Sequence, residues 1–81
     1  MKHYVVVLDW ASNDDEGVTI LGVTHTLEEA KEIFAKQLVE EKELADEWGW
    51  EIETDTDTEF EAYESGYYAV THSKLYIQGV M

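Results

Sequence analysis

The sequence predicts an α+β domain: a small antiparallel sheet of three to four strands (ββαβ or ββαββ) with one long helix packed on one face. Two observations favour this class. Short, apolar, β-branched runs lie on both sides of a single long segment with helical periodicity. The 81 residues contain no proline, linker or repeat, so the whole chain, 1–81, is predicted to form one small acidic domain.

The first two strands are predicted to form a hairpin. His3–Trp10 contains the run Val5–Leu8, which is apolar at every position and is therefore typical of a central strand. Ser12–Gly17 is rich in the Asx and glycine residues of tight turns. Val18–Thr24 is a second β-branched run, so we expect it to pair with the first run in antiparallel orientation.

A long helix is predicted from the capping box of Thr26 and Glu29 to Trp48, with Gly49 as its left-handed terminator. At about 100° per residue the apolar side chains of this segment share one arc. They are Leu27, Ala30, Phe34, Leu38, Ala45 and Trp48, flanked by Ile33 and Leu44. Glu41 lies inside the arc, and the helix is expected to extend past the sheet edge there. Trp48 and Trp50 are expected to anchor the core.

Two further strands are predicted after the helix. The first starts at Trp50–Glu53, and Lys74–Val80 forms the last. Residues 54–66 are open to two interpretations: extended or loop structure to about residue 57, or a short helix that begins at the capping box Thr58–Glu61 and ends at Gly66.

One helix covers only one face of a sheet, so the other face is a candidate surface for a homodimer. The aromatic residues expected on that face are Tyr4, Trp10, Tyr67, Tyr68 and Tyr76.

The charge balance restricts the partners that the protein can bind. Nineteen acidic residues face five lysines, for a net charge of −14, and residues 40–64 hold 12 of the acids with one lysine. Such a surface repels nucleic acid and anionic membranes and attracts basic proteins. We therefore expect no direct nucleic-acid binding, no membrane binding, and a basic protein surface as partner. The absence of cysteine is typical of a reducing compartment, so a cytoplasmic location is expected.

Six carboxylates at strict alternation are the strongest functional signal, and we refer to them as the carboxylate ladder: Glu51, Glu53, Asp55, Asp57, Glu59 and Glu61. If the segment is one extended strand, all six side chains leave from one face, roughly 6.5–7 Å apart. This spacing is close to that of phosphates along a nucleic-acid strand, roughly 6–7 Å. The helix adds a second row of carboxylates, spaced at i, i+3 and i+7. We call it the helix row: Glu40, Glu43 and Glu47. The two rows together could imitate two phosphate tracks.

The leading hypothesis is therefore a non-enzymatic interaction module that presents these nine acids to a basic protein, in its sharpest form a nucleic-acid mimic that inhibits a nucleic-acid-binding protein. In composition alone the chain is similar to small phage-borne DNA-mimic inhibitors, and no motif carries that likeness. The alternatives are a homodimeric structural or interaction protein whose charge serves only solubility, and a weak calcium-binding module.

Enzymatic and metal-binding readings have less support in the sequence. The calcium candidates are residues 13–16 and the pair Asp55 and Asp57, but neither stretch matches an EF-hand, and an ordinary turn explains residues 12–17. Adjacent His72 and Ser73 would point to opposite faces of a strand and could not act together. No catalytic residue, resident metal or cofactor is expected.

Overall fold

Five strands and one helix make up the described part of the chain, which in the computed structural model comprises residues 2–12, 15–64 and 71–80. In chain order they are β1 (His3–Ala11), β2 (Glu16–Thr24), α1 (Leu27–Trp48), β3 (Glu51–Asp55), β4 (Glu59–Tyr63) and β5 (His72–Val80). The strands form one antiparallel sheet in the order β2-β1-β5-β4-β3. The predicted α+β class and the single helix are confirmed, but the sheet has five strands rather than three to four.

The additional strand comes from the segment that the sequence left open. Thr56 closes a turn: its N–H and hydroxyl donate to the Glu59 carbonyl at 2.8 and 3.1 Å, and its hydroxyl accepts from the Glu59 N–H at 3.0 Å. Strands β3 and β4 therefore fold back on each other as a hairpin. The alternative helix is wrong for residues 59–63, which alternate between buried and half-buried positions. Gly66, Tyr67 and Tyr68 lie outside the described residues.

The N-terminal hairpin is confirmed, and so is the central position of its first strand. β1 pairs with β2 on one side and with β5 on the other. The connection includes a hydrogen bond from the Ser12 N–H to the Asp15 carbonyl at 2.7 Å. A strand that lies between two neighbouring strands does not need alternating polar residues, and this explains why every residue of Val5–Leu8 is apolar.

Both predicted ends of α1 are confirmed. The Thr26 side chain accepts a hydrogen bond from the Glu29 N–H at 3.2 Å, and Gly49 adopts a left-handed conformation with φ of 68°. The Gly49 N–H donates to the Asp46 carbonyl, and the Trp50 N–H donates to that of Ala45 at 2.8 Å. These bonds satisfy carbonyl groups that the end of a helix leaves unpaired.

The core lies between α1 and one face of the sheet. Seven of its side chains are almost fully buried: Val6, Ala30, Phe34, Ala45, Phe60, Ala62 and Leu75. In β5, Leu75 and Ile77 face the helix. No helix in the described ranges is long and apolar enough to cross a membrane.

Several expectations about aromatic residues are wrong. Trp48 is 67% exposed, because the chain turns back at Gly49 and places Trp50 against the core instead. Tyr4 packs against the core cluster, and Trp10 lies opposite the buried Ser73. Both therefore lie on the helix side of the sheet and not on the uncovered face.

Candidate interaction surface

The face of the sheet that α1 leaves uncovered carries a cluster of glutamates at one end. Phe60 and Ala62 are buried under the helix, so the alternating Glu59 and Glu61 of β4 point to the other face. Glu51 of β3 lies opposite Tyr63 on that face, and Glu53 lies near enough to Glu61 to raise the pKa of its carboxyl group. We call these four residues the acidic sheet face: Glu51, Glu53, Glu59 and Glu61.

The predicted single ladder of six carboxylates does not form. The pairing register of β3 shifts between Ile52 and Thr54, which places Asp55 opposite the buried Phe60, and the chain then reverses at Thr56–Thr58. A bulge adds one residue, and one residue is enough to move a side chain to the other face of the sheet.

The two aspartates of the ladder lie on the helix side and pair with helix lysines. The Lys42 Nζ lies 3.2 Å from the Asp55 carboxylate, and the Lys31 Nζ lies 3.0 Å from that of Asp57. Exposed ion pairs of this kind contribute at most about 1 kcal/mol each to stability. They nevertheless neutralise both aspartates locally, so the four glutamates are the ladder carboxylates that remain on the uncovered face, with Glu59 paired to Lys74.

Burial and nearby negative charges both act on Glu61 in the acidic sheet face. Partial burial raises the pKa of its carboxyl group above the usual 4.5, and the hydrogen bond to Glu53 and the negative charges of Glu53 and Glu59 act in the same direction. The positive charge of Lys74 acts in the opposite direction. Folding therefore holds these carboxylates closer together than their charges favour.

A lysine and a tyrosine order part of this surface. The Lys74 Nζ lies 3.4 Å from the Glu59 carboxylate and 5.6 Å from the centre of the Tyr76 ring. The Tyr63 hydroxyl donates to Glu51 at 2.7 Å, and this bond to a carboxylate raises the pKa of Tyr63. The surface offers mainly acceptors, so the side chains that it suits are lysine and arginine.

The helix row does not join the acidic sheet face. Glu40, Glu43 and Glu47 are exposed, and all three lie about 120° or more around the helix from the buried Phe34. They point away from the sheet, whereas the four glutamates point out of its opposite face. The expected pair of parallel phosphate-like tracks is therefore wrong, although either row alone remains a candidate surface.

The other end of the uncovered face is apolar. On β2, Val18, Ile20 and Val23 are 63%, 55% and 61% exposed. They lie beside β1 at the edge of the sheet, opposite Asp9, Val7 and Val5. The uncovered face is thus divided into an apolar end on β2 and an acidic end on β3 and β4.

The residues considered for calcium are not gathered into a site within the described ranges. No group of three or more histidine, aspartate or glutamate residues there is arranged to hold a metal ion. Asp55 and Asp57 pair with lysines, and Asn13 and Asp14 lie outside the described residues.

Sequence reasoning missed a buried polar pair between α1 and β5. Glu41 is 5% exposed, and its two carboxylate oxygens accept hydrogen bonds from the Ser73 hydroxyl at 2.9 Å and from the Gln37 amide at 3.0 Å. The expectation that the helix extends past the sheet edge at Glu41 is wrong, because β5 lies beneath it. Two sequence signals could have revealed the pair. Glu41 lies inside the apolar arc of the helix, and Ser73 lies two residues before Leu75 on the same strand, so both side chains point towards the helix.

Comparison of the chain with protein-family models, with curated proteins and with solved structures gives no significant match.

Proposed function

We propose that the protein is a non-enzymatic interaction module that binds a basic protein through the acidic sheet face. The observation that carries this proposal is the convergence of four glutamates from two neighbouring strands on one uncovered surface, with Lys74 beside them. Lysine or arginine side chains of a partner would supply the positive charge that this surface lacks.

The raised pKa of Glu61 supports the proposal energetically. Its carboxylate is held beside Glu53 and Glu59 at a cost that the folded protein bears. Partial burial is the largest cause of the raised pKa, and a cationic partner would counter the part that comes from the negative charges of Glu53 and Glu59. Because the glutamates are accessible to solvent, their charge should act mainly on the association rate and should be sensitive to salt.

The sharpest form of the proposal is mimicry of a nucleic-acid strand. Adjacent strands of a sheet lie about 4.8 Å apart, whereas the grooves that separate the backbones of a duplex are about 6 and 12 Å wide. The geometry of the acidic sheet face thus favours imitation of a short single-stranded segment over imitation of a duplex. Competition between the protein and single-stranded DNA for the same partner is the corresponding test.

The experiment compares two triple variants with the same charge. Glu51, Glu53 and Glu61 are changed to glutamine in the first variant, and the helix row in the second. Each variant removes three negative charges, so the net charge changes from −14 to −11 in both. The probe is the set of proteins from a cell lysate that bind DNA-cellulose. These proteins are passed over the immobilised wild type and variants, and those that are retained are identified by mass spectrometry.

We expect the sheet-face variant to lose specific partners that the wild type and the helix-row variant retain, and we expect single-stranded DNA to displace them. Equal loss in both variants would mean that only overall charge matters. Loss confined to the helix-row variant would move the binding surface to α1. Either result would contradict the proposed site.

A second candidate function is homodimerisation through the apolar end of the uncovered face. The exposed Val18, Ile20 and Val23 favour it, because apolar clusters on a sheet edge commonly mark interaction sites. Changing Ile20 to threonine should then convert a dimer to a monomer in sedimentation experiments without altering the capture of basic proteins. A wild-type protein that sediments as a monomer at every concentration would exclude this function.

A further inference from the structure

A cavity of about 350 Å³ lies on the helix side of the sheet, away from the acidic sheet face. Its volume falls within the range of small-molecule sites, roughly 300–1,000 Å³. Of the ten lining residues, five are apolar or aromatic and five are polar; Glu41 and Ser73 are among the polar ones. The residues that matter here are Leu8, Trp10, Glu41, Leu44, Trp50 and Ser73.

The chemically unusual feature of this cavity is the carboxylate of Glu41. The side chain is 95% buried, and among the described residues its hydrogen-bond donors are the neutral side chains of Ser73 and Gln37. The ion pairs in the described ranges involve Asp55, Asp57 and Glu59 but not Glu41. A buried carboxylate without a counter-ion is costly, and a carboxylate can accept more than the two hydrogen bonds seen here.

A second, larger cavity gives a useful contrast. It measures about 410 Å³ and lies beside Glu59 and Lys74, whose charged groups are 3.4 Å apart and already compensate each other. The Glu41 cavity is smaller, but it is the one of these two whose charge still lacks a partner. This difference indicates what the Glu41 cavity could take: a cation with an apolar body.

We propose that this cavity binds a small protonated amine with an apolar or aromatic body. The ammonium group donates to the Glu41 carboxylate, and the body lies against Leu44 and the indole rings of Trp10 and Trp50. Aromatic faces attract ammonium groups as well as apolar ones, and a buried carboxylate forms a stronger hydrogen bond with a charged donor than with a neutral one. The site is independent of the acidic sheet face.

The probe for the test is 2-phenylethylammonium, with 2-phenylethanol as its neutral counterpart of similar shape. Binding is measured by calorimetry at neutral pH and by tryptophan fluorescence in a Trp48→Phe background, which removes the exposed indole. We expect one saturable site that takes the amine at least about tenfold more tightly than the alcohol, the difference typical of a hydrogen bond to a charged group.

The decisive variant is Glu41→Gln, with Glu40→Gln as a control that removes the same charge from the exposed side of the helix. Glu41→Gln should abolish the preference for the amine, whereas Glu40→Gln should retain it. If Glu41→Gln fails to fold, Leu44→Trp provides an alternative, because a larger side chain in the cavity wall should block both probes while Glu41 stays in place.

Three results would overturn the proposal. The wild type could bind the alcohol as tightly as the amine, a folded Glu41→Gln variant could retain the preference, or the folded wild type could show no saturable binding at millimolar probe. In each case the Glu41 carboxylate would have a purely structural role.

Discussion

Removal of the Ser73 hydroxyl tests the energetic role of the buried pair between α1 and β5. The Ser73 and Glu41 side chains are each 5% exposed, and the hydroxyl donates to the carboxylate at 2.9 Å. A hydrogen bond to a charged group contributes about 1.5–3 kcal/mol, so Ser73→Ala should lower the free energy of unfolding by about that amount. For a domain of this size the melting temperature should fall by roughly 6–24 °C.

A double-mutant cycle shows whether this loss depends on the carboxylate. Glu41→Leu removes the charge while it keeps an apolar side chain in the arc of the helix. In that background the Ser73 hydroxyl has lost its acceptor, so Ser73→Ala should be neutral or slightly stabilising. The coupling energy between the two positions should therefore be about 1.5–3 kcal/mol.

The assay is urea denaturation followed by circular dichroism. The slope for a small protein is about 1 kcal/mol per molar urea or somewhat more, so the midpoint of Ser73→Ala should fall by roughly 1–3 M. The reasoning would be refuted if the double mutant changed the free energy of unfolding by the sum of the two single-mutant changes, to within about 0.5 kcal/mol. Independent sites are additive at that level. The hydrogen bond would then contribute nothing to the stability of the fold.

Two further predictions concern the acidic sheet face and the core. Glu61 has a raised pKa in the folded protein and therefore binds its proton more tightly there than in the unfolded chain. The ionised Glu61 carboxylate therefore lowers the free energy of unfolding by its full amount at pH values above its pKa in the folded protein. This loss disappears as the pH falls through that pKa towards 4.5. The stability gained by Glu61→Gln, measured by urea denaturation, should accordingly be largest at neutral pH and shrink towards pH 4.5; a gain that grows on acidification would contradict this. In the helix, Phe34→Ala should cost about 3–5 kcal/mol because Phe34 is buried, whereas Trp48→Ala should change stability by no more than about 0.5 kcal/mol. Thermal denaturation of the two variants distinguishes them, and a larger loss for Trp48→Ala would contradict the observed packing.

The elements that depend on local patterns could be predicted from the sequence. The helix begins after Thr26 and ends at Gly49 because a hydroxyl cap and a left-handed glycine act within one turn. The β1–β2 hairpin follows from two β-branched runs around a polar turn. The large excess of acids and the absence of cysteine are also read directly from the chain.

The candidate site was only partly predictable. The alternation of acids predicts that all six ladder carboxylates share one face, and four of them do. The turn at Thr56 was missed because it is formed by threonine hydrogen bonds and contains no glycine, proline or asparagine. The bulge before Thr54 carries no local signal either, and it moves Asp55 to the other side of the sheet.

The sequence by itself thus determined the α+β class, the helix with both caps, the first hairpin and the charge. The tertiary structure alone decided that Glu41 is buried against Ser73, that Trp50 rather than Trp48 meets the core, and that Asp55 pairs with Lys42. The physical reason is the range of the interactions. Caps and alternation act over a few neighbouring residues, whereas strand register and the burial of a polar group depend on residues that meet only when distant segments pack together.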